Sequence, residues 1–101
     1  MFLLTDDRCA SAGDSLSAEL RCSPKVTVVG RPTAGANDYS NCCVQRYGDF
    51  SLQYPMSRSL LIDRGEGKLH RGEPVDVYIP WTPEHIERDV DLERVREMLK
   101  Y

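Results

Sequence analysis

The sequence predicts an α/β fold built on a parallel βαβ unit, and three stretches predict it. Phe2-Leu3-Leu4-Thr5 is a short apolar run that ends at Asp6-Asp7-Arg8, the pattern of a buried strand end. From Ser11 to Arg21, Ala12, Leu16, Ala18 and Leu20 recur among small residues at helical spacing. Val26-Thr27-Val28-Val29 is β-branched or apolar throughout, as in a strand buried on both faces. Strand, helix and strand within about thirty residues is how two parallel strands are joined.

Each element carries its own start and stop signals. Ser11 can cap the helix, and Asp14 sits in the first turn, where negative charge is favoured. Ser23-Pro24 ends it, because the residue before a proline is pushed out of the helical region. Gly30 stops the second strand, and Arg31 to Asp38 is a loop by composition. Cys42 to Arg46 and Phe50 to Tyr54 alternate around Tyr47-Gly48-Asp49, which predicts a hairpin interrupted by Pro55. Ser59 to Ile62 is a further short apolar piece, and Asp63 to Gly67 is rich in turn residues. Val75, Val77 and Ile79 alternate as in a strand. Thr82-Pro83-Glu84 opens a helix, with Thr82 as N-cap and Pro83 at the first position. A second C-terminal helix runs from Asp91, with Leu92, Val95 and Leu99 on one face. Glu93 to Arg96 and Glu97 to Lys100 are at the spacing of helical ion pairs.

Composition narrows the function classes. A chain of 101 residues forms one small core. A net charge of −3, with no basic stripe and no interleaved aromatics, argues against nucleic-acid binding. No apolar run approaches the roughly 18 residues of a membrane span. Met1 to Leu4 is too short for an export signal, which favours the cytoplasm. Cys9, Cys22, Cys42 and Cys43 form no C-x-x-C pair. They fit free, packed thiols better than a disulfide framework, and with His70 and His85 they show no zinc spacing. No metal or cofactor is expected.

The chemistry lies at Cys9-Ala10-Ser11-Ala12-Gly13-Asp14. A serine on the turn from a strand into a helix, among small neighbours, presents its hydroxyl to a substrate. The helix N-terminus supplies N–H groups and a positive dipole end for a developing oxyanion. The same residue read plainly is an N-cap. Trp81 is either an exposed recognition residue or a lid packed on the sheet edge. Asp38-Tyr39-Ser40-Asn41 either lines a groove or serves the turn.

Taken in order, Leu4-Thr5-Asp6, Ser11-Ala12-Gly13-Asp14, Val28-Val29-Gly30-Arg31-Pro32-Thr33-Ala34-Gly35, Gly72-Glu73-Pro74-Val75-Asp76 and Asp89-Val90-Asp91-Leu92 resemble the C-terminal part of the C-terminal-processing, tail-specific (tricorn-like) serine peptidases of family S41. The resemblance implies a partial crotonase/ClpP-like spiral, made of the βαβ unit, the hairpin and the C-terminal helices. It implies that residues 1–101 are the nucleophile-bearing part of an incomplete domain. By it Ser11 is the nucleophile and the Ala12 N–H an oxyanion donor. By the same resemblance Thr33, Gly35 and Ala36 are expected to contact substrate, a peptide or unfolded protein.

The pattern breaks at the base, which a serine nucleophile needs. The Ser-Lys branch carries lysine where this chain has Ala36. His70 is the candidate within the chain, although a histidine in Lys68-Leu69-His70-Arg71 also reads as a solvated turn residue; His85 reads as a surface residue. Otherwise the base comes from an N-terminal half or a partner chain. The expectation is a peptidase inactive alone and completed by a homo-oligomer or an upstream half. The alternative is a non-catalytic remnant that binds peptides or self-associates.

Overall fold

The computed structural model describes residues 1–100. Strands β1 (Phe2–Thr5), β2 (Thr27–Gly30) and β5 (Val77–Tyr78) form a parallel sheet in the order β1-β2-β5. Helix α1 (Ala12–Arg21) makes the crossover from β1 to β2. Leu3 pairs with Val28, Leu4 with Val29, and Val29 with Val77. Strand β5 is shorter than its alternation predicts. Bonds on either side still dock it: Asp76 N–H donates to Val28 O and Ile79 N–H to Gly30 O, both at 2.8 Å. The Asp76 side chain adds a third, accepting from Val28 N–H at 2.8 Å.

The core is small. Val28, Val29 and Val95 are the buried apolar side chains among the described residues. Helix α1 turns a small polar face inward, with Asp14 and Ser17 buried, and leaves Leu16 exposed. Its apolar pattern predicts the reverse. Asp14 is drawn in by hydrogen bonds, and residues three apart share a helix face. At the chain's end, Thr82-Pro83 opens a single 3-10 turn, Pro83–Ile86, rather than a helix. Helix α2 (Val90–Met98) starts one residue earlier than predicted, because the Asp89 side chain caps it through Leu92 N–H. Glu93 pairs with Arg88 instead of Arg96, and Glu97 with Arg94 instead of Lys100.

Strands β3 (Tyr39–Tyr47) and β4 (Phe50–Arg58) form a separate antiparallel hairpin. Gly48 lies at φ 60° in its two-residue turn, as the primed hairpin turns require. Both strands run beyond the predicted segments, and β4 passes through Pro55. A two-stranded ribbon has an edge on each strand, where a missing N–H is tolerated. The ribbon's roots close on each other, with Ser59 N–H donating to Asp38 O at 2.7 Å. Ser59 to Gly65 is then a run of turns rather than a strand, each N–H from Ile62 to Gly65 returning to the carbonyl three residues back. The hairpin draws the molecule out to 58 × 34 × 18 Å, with a radius of gyration of 16.7 Å. A compact domain of this length has about 13 Å. All four cysteines are free, and no helix among the described residues is long and apolar enough to cross a membrane.

Candidate active site

Ser11 stands where β1 has ended and α1 begins. Its backbone is at φ 57°, ψ −110°, a conformation that glycine adopts freely and that costs other residues about 1–3 kcal/mol. Ser11 and Asp14 stand as the two members of a capping box, but only the return arm meets hydrogen-bond geometry. Ser11 N–H donates to Asp14 Oδ2 at 2.7 Å, while the Ser11 hydroxyl makes no cap bond. Ser11 and Ala12 are exposed. The Ala12 N–H meets no protein acceptor among the described residues. At Gly13 an added Cβ would lie 2.7 Å from Cys9 Sγ, so that side chain would have to turn aside.

Asp14 is the hub. It is 3 % exposed, yet it accepts from Ser11, Gly35 (2.9 Å) and Ala36 (3.0 Å) backbone N–H groups. Burial pushes its carboxyl up, but hydrogen bonds from the Thr33 side chain, Gly35, Ala36 and Ser11 outweigh that and hold it below the usual range. Thr33 carries the connection further. Its hydroxyl accepts from Glu73 N–H at 2.7 Å, and its own N–H donates to Glu73 O at 3.2 Å. The close approach requires glycine at 72: at φ 68°, an added Cβ would meet Thr33 O at 1.8 Å. Ala34 N–H reaches Cys9 O at 2.9 Å. Three stretches far apart in sequence are thus one clasp behind the serine turn.

The other residues singled out in the sequence fall as follows. Thr33 and Gly35 are buried in the clasp, and Ala36 is exposed at its rim. His70 is exposed at φ 64°, and no hydrogen bond joins it to Ser11 among the described residues. Asp38 is buried and serves the turn, accepting from Lys68 and Leu69 N–H groups at 2.7 and 2.8 Å. Trp81 is 57 % exposed, so it is no buried lid; its ring stacks on His85.

His85 is not a surface residue. Its side chain is 9 % exposed and lies between Trp81, Thr82 and Asp91. Thr82 N–H donates to Nδ1 at 3.1 Å, so Nε2 holds the proton and donates to Asp91 Oδ1 at 3.2 Å. Arg31 grips the same carboxylate with two nitrogens, at 2.6 and 3.2 Å, and also donates to Ile79 O. Asp91, pushed up by burial, is held below the usual range by Arg31 and His85. Arg31 is held above its ordinary value, chiefly by its hydrogen bond to Asp91. This cluster lines an open cleft of about 800 Å³ with Asp6 and Trp81, and Ser11 is not among the residues lining it. Spacing in the sequence gave no sign of the cluster. For Asp14 the sign was present, a Ser-x-x-Asp capping pattern, but capping alone does not predict donors from a loop twenty residues on.

A family model described as peptidase family S41 matches residues 1–76. The match takes in the serine turn, the Thr33–Ala36 loop and the Gly72-Glu73 clasp, and stops short of the Arg31 cluster's His85 and Asp91. No curated protein and no solved structure matches the chain.

Proposed function

The chain belongs to peptidase family S41, and from that premise we propose that it carries the nucleophile of a serine-type peptidase of the C-terminal-processing, tail-specific kind. Ser11 Oγ attacks the carbonyl carbon of a peptide bond while its proton passes to a base. The Ala12 N–H meets the oxyanion that forms, the amine leaves with a proton, and water releases the acyl group. The observation that supports this reading is the state of Ser11: exposed, at positive φ on the turn into α1, beside an Ala12 N–H that meets no protein acceptor among the described residues. A serine that only capped α1 would have no need of positive φ.

His85 is unsuited as the base, because both ring nitrogens are engaged. The reading leaves His70, or a group from a partner chain or from an upstream half that would complete the crotonase/ClpP-like spiral. Reaction with a fluorophosphonate probe tests it, on the protein itself and on any longer chain that contains it. Labelling at Ser11 that vanishes in Ser11→Ala is expected. His70→Gln should slow labelling about 10²–10⁴-fold if His70 is the base, and leave it unchanged if the base lies elsewhere. Ala36, in place of lysine, favours a second reading: a non-catalytic remnant that binds peptides or self-associates. Absence of labelling in every longer chain would decide for it.

A further inference from the structure

The hairpin has one apolar face that the described residues leave exposed. In its register Cys43 lies opposite Tyr54, Gln45 opposite Leu52, and Tyr47 opposite Phe50. Odd positions of β3 therefore share a face with even positions of β4, except at Asn41, which lies at φ 56° and donates its side-chain amide to Ser57 Oγ on the reverse. That face carries Tyr39, Tyr47, Phe50, Leu52, Tyr54 and Met56, which are between 39 % and 71 % exposed. Tyr47 and Phe50 stack with centroids 6.0 Å apart. The other face is mostly polar: Ser40 and Ser57 share a hydrogen bond at 3.0 Å, with Arg46, Ser51 and Gln53 further along.

Area and charge together select the occupant. With roughly 150–250 Å² for each aromatic side chain, the apolar face exposes on the order of 600 Å². That is at the top of the range for the largest patch on a monomer. Two such faces together reach about 1,200 Å², the threshold of a stable interface. The face's one charge, Arg58 at the root, is already paired with Asp63 at 2.5 Å. No unpaired charge calls for an acidic or basic partner, and an apolar surface with a polar reverse is complementary to itself. We propose that two copies of this chain associate through this face, hairpin on hairpin, about a two-fold axis. The ribbons stack about 10 Å apart, as packed sheets do. The inference is independent of any role for Ser11.

Sedimentation of the full chain in reducing buffer, from micromolar to sub-millimolar concentration, tests it. A monomer–dimer equilibrium is expected. Leu52→Lys should weaken it at least about 30-fold, while Ser51→Lys on the polar face leaves it unchanged. Maleimide reactivity of the unmodified protein gives a readout that needs no variant. Cys43, on the apolar face, should become protected as concentration rises, and Cys42, on the reverse, should not. A monomer at every concentration, polydisperse aggregate, a dimer that survives Leu52→Lys, or Cys43 reactivity that does not fall as concentration rises would overturn the proposal.

Discussion

The clasp around Asp14 and the hairpin from Tyr39 to Arg58 stabilise themselves in opposite ways. In the clasp, one buried carboxylate gathers backbone N–H groups from two loops, and Thr33 ties in a third. Almost no apolar area is involved. In the hairpin the ladder runs nearly the whole length, broken at Asn41, yet its aromatic face lies open. The first region is self-sufficient in hydrogen bonds and poor in hydrophobic burial. The second carries an apolar surface that the described residues leave exposed. With Val28, Val29 and Val95 as the buried apolar side chains among the described residues, the body around the serine turn depends on its polar wiring.

The contrast can be broken most forcefully at Asp14. Asp14→Ala leaves the buried Gly35 N–H and the part-buried Ser11 and Ala36 N–H groups short of an acceptor. At about 1–3 kcal/mol for a buried group left unpaired, and less where water can reach, a loss of about 2–3 kcal/mol is expected, read as a lower urea midpoint. A loss below about 1 kcal/mol would show that the clasp contributes little.

Acid offers a graded version of the same test. The folded-state carboxyls of Asp14 and Asp91 both lie below their ordinary value, so each contributes stability that is present above the unfolded-state value of about 3.9. That contribution disappears as pH falls through the lower folded-state values. Urea midpoints should therefore drop steadily below about pH 4, and Asp14→Asn should flatten the decline. An unchanged slope in Asp14→Asn would place the acid sensitivity elsewhere. The smallest expected effect is at the serine itself. Ser11→Gly removes the positive-φ strain and should raise stability by about 1 kcal/mol, whereas Ser11→Ala should not. Equal stability of the two variants would mean that the turn is unstrained.

What the sequence disclosed follows from the range of the forces involved. The βαβ unit was readable because Val26–Val29 and the caps of α1 are local signals, and the Gly48 turn announces the hairpin in the same way. The serine turn was readable because strand, small residues and helix start are adjacent. The inward face of α1 was not, since Leu16 is turned out by the demand of loop N–H groups for Asp14. Nor was the Arg31–Asp91 pairing, which spans sixty residues and depends on where β5 delivers the chain. His85 reads as solvent-facing from its acidic neighbours, yet Thr82 and Asp91 hold it inside. The resemblance motifs have a physical reason to sit together in this chain: the Ser-Ala-Gly-Asp turn hydrogen-bonds to the Thr-Ala-Gly loop, and that loop to the Gly-Glu element.

The bond between Ser59 N–H and Asp38 O has a consequence for how such a chain can be rebuilt. It brings the two ends of the hairpin together at 2.7 Å, so the twenty residues between them enter and leave the body at one point. An insertion module has this geometry, and closure of a surface loop depends only weakly on its length. The ribbon is therefore exchangeable: it can be lengthened, trimmed or replaced by a short turn while the register of β1, β2 and β5 is kept. The serine turn belongs to the part that stays, and the exposed apolar face to the part that can be swapped.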